Sequence, residues 1–221
     1  MQGTFGYWWV RGCAQPIRFL LAYLKIEQNS KIYSNFDDWF AHDKPNLGLD
    51  LPNIPHWIDK DVKLTESAAF PVYLIKKSDR HDLLGQNRDG SFNYKEVQVQ
   101  QLLGYFRDVN REFTQNICPN KDFETIKEKL LNEKMQNMLD KIVKILGNQQ
   151  YILGDLTYAD FAFYEILNYY KQIYPQTINK QLQDYINNFE SLSGIKEYLV
   201  LPDINLKQFL PSQFYTWSGP H

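Results

Sequence analysis

The amino-acid sequence predicts an α/β domain followed by an all-helical domain. Short apolar and β-branched runs, typical of buried strands, occur in the first third of the chain, and residues 4–10 are the clearest of them. A polar stretch with two glycines, residues 78–91, interrupts this pattern. Beyond it the apolar residues recur at helical spacing, and no further strand is predicted. We therefore place the first domain at residues 1–84, a linker at 85–92 and the helical domain at 93–221.

Length and composition exclude several classes of protein. The 221 residues, 43% of them hydrophobic, allow one large or two small domains with a sizeable core. A net charge of -2 predicts no general attraction to nucleic acid or to an anionic membrane. No apolar run approaches the roughly 20 residues of a membrane span, and no signal peptide is predicted. Because Cys13 and Cys118 cannot build a disulfide framework, we expect a cytoplasmic protein.

In the first domain, the predicted strand at residues 4–10 leads into a helix. Pro16 stands where this helix can begin, because a missing N–H costs little in the first helical turn. One apolar stripe at helical spacing follows, formed by Ile17, Leu20, Leu21 and Leu24. The order strand, break and helix is therefore predicted for the start of the chain.

The rest of the first domain is less regular. Residues 25–53 are polar, and we expect them to form irregular structure. Residues 53–58 and 63–64 predict a short hairpin around a turn at residues 59–61. Thr65-Glu66-Ser67 then opens a predicted helix that runs to about residue 77.

The second domain is predicted to be helical throughout. Asn93 and Glu96 have the spacing of a capping box at the start of a helix that runs toward residue 116. Thr157 and Asp160 head another helix, whose residues are apolar nearly all round, so we expect it to be central and buried. Apolar residues at helical spacing predict further helices over residues 126–146, 182–189 and 192–199.

The sequence predicts no metal site. Residues 85–96 match a calcium loop at Asn87, Asp89, Gly90 and Glu96, but Gly85 stands at the first ligand position, which favours a turn followed by a helix cap. The four histidines are dispersed, without HxxxH or CxxC spacing. Neither a P-loop nor a GxGxxG motif is present in the sequence.

From the residues alone, a peptide-binding site in the first domain is one interpretation. If the bond before Pro55 is cis, it would leave the backbone N–H and C=O of Ile54 available to an extended peptide. The N–H groups around Thr65-Glu66-Ser67 suit a carboxylate. Each feature also has an ordinary interpretation, since most prolines are trans and a serine at a helix start is usually only a cap.

Three stretches match the motifs of one enzyme family. Residues 6–18 read GYWWVRGCAQPIR, residues 46–55 read NLGLDLPNIP, and residues 154–161 read GDLTYADF. In these motifs, their order and their spacing, the chain resembles the mu-class glutathione transferases over nearly its whole length. The third motif is shared by most cytosolic glutathione transferases. The resemblance implies a thioredoxin-like glutathione-binding domain, with its elements in the order βαβαββα, joined to an all-α domain.

The resemblance implies conjugation of glutathione, as co-substrate, to small hydrophobic electrophiles without a further cofactor. Tyr7 matches the catalytic tyrosine, whose hydroxyl would donate a hydrogen bond to the sulfur. A charge-assisted hydrogen bond is worth about 1.5–3 kcal/mol. At about 1.36 kcal/mol per unit, it lowers the thiol pKa by one to two units, and the thiolate is the nucleophile. Without the resemblance, Tyr7 would be one more core aromatic residue.

The resemblance also implies how glutathione is held. The Ile54 backbone would pair with the cysteinyl unit, while Glu66 and Ser67 would hold the γ-glutamyl group. Trp39 and Lys44 would meet the glycine carboxylate. The implied glutathione-binding residues are Trp8, Cys13, Trp39, Lys44, Asn53, Ile54, Pro55, Glu66 and Ser67.

A homodimer and a pocket for the electrophile are further implications. In the family an aspartate of the partner subunit reaches glutathione; the aligned position is Val109, and the adjacent Asp108 is the candidate. The pocket is implied to draw on the first strand, the following turn, a helix of the second domain and the tail. Its implied side chains are Val10, Cys13, Thr114, Phe214 and Tyr215.

The chain departs from the mu-class pattern at several positions. The segment between Tyr33 and Trp39 is much shorter than in mu enzymes. Leu51 replaces the aromatic residue that inserts into the neighbouring subunit, which leaves a smaller dimer contact. Pro119 stands where the family often has a tyrosine that assists electrophile substrates. Glutathione binding is therefore better supported than any preference among electrophiles.

Three alternatives stay open. A glutathione-dependent isomerase, as in the related sigma class, would use the same site. Cys13 nearly opens a helix, whose dipole favours a thiolate, so a thiol transferase is the second alternative. The third is a glutathione- or ligand-binding protein that kept the fold without turnover. Since mu enzymes have an apolar wall residue at the matched position, we expect Cys13 to line the pocket.

Overall fold

A computed structural model describes residues 2–201 and 207–220 and divides the chain into two compact units. The first unit comprises Met1–Asp79 and Ser193–Phe209, and the second comprises Arg80–Leu192 and Leu210–His221. Residues 193–201 and 207–209 thus belong to the first unit, although they follow the helices of the second in the chain. The predicted fold class, an α/β part followed by helices, is confirmed.

The first unit is built on a mixed sheet. Its strands are β1 (Gln2–Trp8), β2 (Glu27–Tyr33), β3 (His56–Ile58) and β4 (Lys63–Leu64). Within the described residues their order is β2-β1-β3-β4, with β1 parallel to β2 and the other two pairs antiparallel. The predicted strand at the N-terminus and the predicted hairpin are confirmed.

The helices of the first unit begin near their sequence signals. A 3-10 turn, Gly12–Ala14, precedes α1 (Gln15–Tyr23), and Pro16 lies in the first turn of α1 as predicted. A short π-helical segment, Asp38–Asp43, runs into α2 (Lys44–Asn46). The helix predicted to open at residue 65 starts later, because residues 67–69 form a turn and α3 spans Phe70–Lys77.

The expectation that residues 25–53 are irregular is wrong. They contain β2 and the helical segment just described. Because β2 lies at the edge of the sheet, most of its side chains are exposed and only Tyr33 is buried. Such a strand carries little of the apolar alternation from which buried strands are recognised.

Two glycines allow β1 and β3 to carry bulky rings at their contact. Gly6 pairs with His56, and a Cβ at Gly6 would collide with the imidazole. A Cβ at Gly3 would likewise collide with the indole of Trp57, a fully buried side chain. The glycines therefore leave room for two buried rings in the first unit.

The second unit is helical, as predicted. Its helices are α4 (Tyr94–Arg111), α5 (Phe123–Leu130), α6 (Gln136–Leu146), α7 (Tyr158–Ile173) and α8 (Lys180–Glu190). A π-helical segment, Glu112–Ile117, extends α4. The final helix, α9 (Ile195–Leu199), belongs to the first unit. Among the described residues, no helix combines the length and apolar character that a bilayer span requires.

The two predicted capping boxes differ in outcome. At α7 the box is complete, because the Thr157 N–H donates to Asp160 Oδ2 at 2.8 Å, and the helix is buried nearly all round. At α4 the Asn93 side chain accepts from the Lys95 N–H at 3.0 Å. Glu96 does not complete that box, since its carboxylate accepts from Gln86 at 2.6 Å.

Candidate active site

Tyr7 lies at the end of β1, with its side chain directed toward the turn that precedes α1. Only 9% of the residue is exposed, and its hydroxyl oxygen lies 3.3 Å from the sulfur of Cys13. Gly12 makes this approach possible: it has a φ of 47°, and a Cβ there would come within 2.5 Å of the Tyr7 oxygen. The local backbone therefore brings a phenol and a thiol together.

The phenol stays protonated in this environment. Burial raises the pKa of Tyr7 well above its usual range, and the neighbouring Cys13 raises it further. The positive charge of Arg18, whose guanidinium lies 5.6 Å from the ring centroid, only partly opposes this rise in pKa. Tyr7 can therefore act as a hydrogen-bond donor throughout the neutral pH range.

Cys13 is exposed at the level of the whole residue, but protein atoms crowd its sulfur. This loss of water raises the pKa of the thiol, although hydrogen bonds with Tyr7 and Ser67 act to lower it. The net direction is opposite to the one that thiolate chemistry requires. The helix-start effect expected from the sequence therefore does not prevail at this cysteine.

The loop before β3 has the predicted cis bond between Ile54 and Pro55. Asn53 links this loop to the bend before α3, because its amide nitrogen donates to Glu66 Oε1 at 3.0 Å. The side-chain oxygen of Asn53, Oδ1, also accepts from the backbone N–H of Ile54 at 2.9 Å. The N–H that was predicted to pair with a peptide is thus satisfied by a neighbouring side chain.

Glu66 and Ser67 lie in the bend between β4 and α3 rather than in the first turn of the helix. Glu66 has a φ of 68°, a left-handed conformation that is uncommon for a residue other than glycine. The Ser67 side chain forms a hydrogen bond with Cys13. The sequence-predicted Tyr7, Cys13 and Ser67 are therefore connected side chains.

Trp39 and Lys44 lie on the helical segment that follows β2. Trp39 is 2% exposed, and its ring stacks on His56 at a centroid distance of 6.0 Å. Lys44 Nζ lies 5.2 Å from the centroid of Phe40, and it forms no ion pair with any residue that the structure describes. Lys44 is therefore a cation whose charge is not neutralised by a partner in this part of the chain.

Trp8 and Tyr7 are adjacent in β1, and successive side chains of a strand point to opposite faces of the sheet. The Trp8 ring contacts Tyr33, Phe36 and Phe40, with centroid distances of 6.0, 5.3 and 6.3 Å. Phe36 and Phe40 are exposed. Trp8 thus joins the aromatic residues near Lys44.

A mostly apolar cavity of about 310 Å³ lies beside the Tyr7 ring within the first unit. Val10, Ile32 and Tyr198 line it, together with Arg18. Its size is at the lower end of the range for small-molecule sites, about 300–1,000 Å³.

A partly buried polar network in the first unit has no signal in the sequence. Tyr33 donates to Asp43 Oδ2 at 2.7 Å and lies 2.9 Å from His56 Nε2. Burial lowers the pKa of His56 to about 4, and burial together with Asp43 raises the pKa of Tyr33. These three residues are far apart in the sequence and share no motif, so only the fold brings them together.

The remaining predicted residues lie in the second unit. Asp108 pairs with Arg111 at 3.4 Å, and the Thr114 hydroxyl donates to the Asn110 carbonyl at 3.0 Å. Phe214 is exposed, while burial raises the pKa of Tyr215. The electrophile pocket expected from these residues with Val10 and Cys13 stays a prediction. No group of three or more metal-ligating side chains occurs in the described ranges.

Two protein-family models match the chain. The description "Glutathione S-transferase, N-terminal domain" matches residues 3–76, and "Glutathione S-transferase, C-terminal domain" matches residues 93–200. Together these matches cover most of the chain, including β1 and the loop before β3.

Curated relatives are similar over most of their lengths. The chain is 33% identical over 204 residues to "Glutathione S-transferase class-mu 26 kDa isozyme 51" of Fasciola hepatica, with 90% of this chain and 88% of the relative covered. It is 31% identical over 225 residues to "Glutathione S-transferase Mu 4" of Homo sapiens, covering 98% and 96%. Among solved structures, the glutathione S-transferase Blo t 8 is 28% identical, with a TM-score of 0.79 over 97% of this chain and 99% of that one.

Proposed function

The chain belongs to the glutathione S-transferase family, and on this premise we propose that it uses Tyr7 to present glutathione as a thiolate to small hydrophobic electrophiles. It is a transferase that conjugates glutathione. The assignment of Tyr7, of the binding residues and of the electrophile class is our proposal.

The proposed role of Tyr7 is to donate a hydrogen bond to the sulfur of glutathione. The 3.3 Å distance between the Tyr7 oxygen and the Cys13 sulfur carries this proposal, because it supports the approach of a sulfur atom to the phenol. A free thiol has a pKa of about 8.5, so it is mostly protonated at neutral pH. A charge-assisted bond of about 1.5–3 kcal/mol lowers that pKa by one to two units and favours the reactive thiolate.

The competition between two sulfurs for Tyr7 favours glutathione. The pKa of Cys13 is raised by loss of water, so this residue offers a neutral thiol. A hydrogen bond to an ionised acceptor is roughly twice as strong as one to a neutral acceptor. When both sulfurs are present, the Tyr7 hydroxyl therefore donates its hydrogen bond to the glutathione thiolate. Cys13 then lines the pocket.

We propose that the tripeptide lies extended along the loop before β3. The Ile54 backbone pairs with the cysteinyl unit, which requires the Asn53 side-chain oxygen, Oδ1, to release the Ile54 N–H. Glu66 and Ser67 hold the γ-glutamyl group, and the Glu66 carboxylate suits its ammonium. At the other end Lys44, with Trp39 beside it, meets the glycine carboxylate; its lack of an ion pair among the described residues supports this role.

Several finer features are proposed from the family. We propose a cytoplasmic homodimer with a detoxifying role, in which Asp108 of the partner subunit contacts glutathione. The apolar cavity beside Tyr7 and Val10 supports a small hydrophobic second substrate. Light scattering on the purified protein tests the dimer, with a monomer as the contradicting result.

The decisive variant is Tyr7→Phe, which keeps the ring and removes the hydroxyl. We expect conjugation of chlorodinitrobenzene to fall about 10- to 100-fold, which corresponds to the loss of one charge-assisted hydrogen bond. The pKa of bound glutathione, followed by thiolate absorbance, should rise by one to two units. Tyr73→Phe is the matched control, because the Tyr73 hydroxyl donates to Asp59 and has no role in the proposed site.

An unchanged thiol pKa in Tyr7→Phe would contradict the assignment of Tyr7. Activity that survives Tyr7→Phe but is lost in Cys13→Ala would favour the thiol transferase. Glutathione binding without turnover on any electrophile would favour the binding protein.

A further inference from the structure

In the proposed glutathione site, a chain of hydrogen bonds connects the segment that carries Lys44 with the segment that carries Ile54. The Tyr33 hydroxyl lies between Asp43 Oδ2, at 2.7 Å, and His56 Nε2, at 2.9 Å. Tyr33 and His56 are each 1% exposed. Lys31 reaches the outer end of the chain, with Nζ 3.4 Å from Asp43 Oδ2.

The direction of the hydrogen bonds follows from the groups involved. The Tyr33 hydroxyl has one proton, which it donates to the Asp43 carboxylate. Its oxygen therefore accepts from His56, which places the imidazole proton on Nε2. His56 Nδ1 is buried, and no residue that the structure describes forms a hydrogen bond with it. The imidazole is thus oriented through its bond with Tyr33.

The network joins the segment that ends at Lys44 to the segment that begins at Ile54. Asp43 directly precedes Lys44, and His56 directly follows the Ile54–Pro55 bond. The Trp39 ring stacks on His56 at an interplanar angle of 22° and contacts the Tyr33 ring at a centroid distance of 5.3 Å. The position of Lys44 relative to the Ile54 backbone is therefore tied to the two hydrogen bonds of the Tyr33 hydroxyl, of which the one with His56 is buried and the one with Asp43 partly buried.

The arrangement also depends on the strand that carries Tyr7. Gly6 pairs with His56 across β1 and β3, and any Cβ at position 6 would collide with the imidazole. The ring thus occupies space that β1 leaves for it, directly beside the residue that we propose as catalytic.

We propose that Asp43, Tyr33 and His56 are positioning residues that hold Lys44 at the distance from the Ile54 backbone at which one peptide can contact both. This inference rests on the proposed function and deepens it. It states that selectivity for a peptide with a free C-terminal carboxylate depends on the network as well as on Lys44 itself.

The test compares glutathione with its ethyl ester, in which the glycine carboxylate is masked. Dissociation constants are measured by calorimetry for the unaltered protein and for Tyr33→Phe, which removes one hydroxyl and keeps the ring against Trp8 and Trp39. We expect Tyr33→Phe to weaken glutathione binding about fivefold to tenfold while ester binding changes less than twofold. The maximal conjugation rate at saturating glutathione should stay within twofold, because Tyr7 is untouched.

Tyr73→Phe is a closely matched control. It removes a tyrosine hydroxyl that donates to the Asp59 carboxylate at 2.7 Å, the same distance as in the Tyr33–Asp43 pair, within the same compact unit. We expect this variant to bind glutathione and the ester as the unaltered protein does. If glutathione binding fell only because a tyrosine hydroxyl had been lost and the protein was less stable, Tyr73→Phe and Tyr33→Phe would both bind it more weakly. A loss confined to Tyr33→Phe therefore indicates positioning.

Asp43→Ala keeps the test decisive if Tyr33→Phe does not fold, because Asp43 is partly exposed and its loss leaves the core rings in place. The same selective loss of glutathione binding is expected. Equal weakening for glutathione and the ester, or no weakening, would overturn the inference. A protein that fails to distinguish the two ligands even before mutation would overturn it together with the role of Lys44, whereas the Tyr7→Phe result would stand apart.

Discussion

The hydroxyl oxygen of Tyr7 and the sulfur of Cys13 lie 3.3 Å apart, and both groups are held in their neutral forms. The phenol and the thiol each have a raised pKa because water is excluded from them. A neutral phenol is the form that donates a hydrogen bond, and a neutral thiol is the weaker competitor for it. The same desolvation therefore preserves the donor and keeps the cysteine unreactive.

The raised pKa of Cys13 predicts slow alkylation. At pH 7 we expect iodoacetamide to modify Cys13 more slowly than it modifies free glutathione, whose thiol pKa is about 8.5, since only the thiolate reacts. Mass spectrometry of peptides after timed labelling measures the rate. Cys13→Ala identifies the signal, because Cys118 is buried. Faster labelling of Cys13 than of glutathione would contradict the direction of the pKa shift.

Gly12→Ala should damage both stability and activity. The φ of 47° disfavours any residue with a Cβ, and the added carbon would approach the Tyr7 oxygen to 2.5 Å. We expect a loss of about 1–3 kcal/mol in the free energy of unfolding, together with reduced conjugation. Gly90→Ala is the control, because it also has a positive φ but its Cβ would meet no atom within 4 Å. Urea denaturation compares the two, and equal activity in both variants would contradict the predicted clash with Tyr7.

Stability should fall as the pH falls from about 6.5 toward about 4. The pKa of His56 is lowered to about 4 in the folded protein, so the unfolded chain binds more protons within this window. At about 1.36 kcal/mol per unit, His56 contributes roughly 3 kcal/mol of stability that is fully present above pH 6.5. Denaturant titrations across this range measure the slope.

Replacement of His56 separates its contribution from that of the carboxylates. His56→Gln keeps a donor near Tyr33 and cannot titrate, so the slope between pH 6.5 and about 4 should flatten. The exposed His42 serves as control, and His42→Gln should retain the slope. Asp59, whose pKa is lowered to about 2, loses its contribution only at lower pH. If the free energy of unfolding of His56→Gln had the same pH dependence as that of the unaltered protein, the slope could not be assigned to His56.

Asp160 should be the most sensitive carboxylate of the second unit. It is fully buried and accepts hydrogen bonds from the Ile152 and Thr157 N–H groups and from the Tyr185 hydroxyl. We expect Asp160→Ala to lower the free energy of unfolding by about 3 kcal/mol, because several buried donors lose their acceptor. Asp155→Ala removes only an exposed ion pair with Lys95 and should cost less than about 1 kcal/mol. Comparable losses in the two variants would contradict this ranking.

The parts of the structure that the sequence predicted are those with local chemical signals. The complete box at Thr157 and Asp160 and the helix start at Pro16 each involve residues close together in the chain. The cis bond before Pro55 was one of two interpretations of its local sequence, and the structure has it. β2 was missed because an edge strand needs few apolar residues. The late start of α3 was missed because the turn at residues 67–69 begins with the residue types of a helix cap.

The polar network of the site could not be predicted from the sequence. Tyr33, Asp43 and His56 are separated by 10 or more residues, and only strand pairing and the helical segment after β2 bring them together. The position of Gly6 opposite His56 depends on the register of β1 with β3, which the short hairpin motif does not specify. Tyr7, by contrast, lies within a contiguous family motif, so the resemblance alone is enough to propose its role.

The hydrogen bond from the Ile54 N–H to the Asn53 side chain also affects the tendency of this protein to pair with strands of other chains. A backbone donor that stays unpaired beside a strand is a point at which foreign strands can add and aggregation can begin. Asn53 satisfies this donor internally, and its own amide is anchored on Glu66. A ligand that pairs with the Ile54 N–H must supply a better acceptor than the Asn53 side-chain oxygen that already occupies it. This backbone edge therefore disfavours non-specific strand addition, whatever side chains the added strand carries.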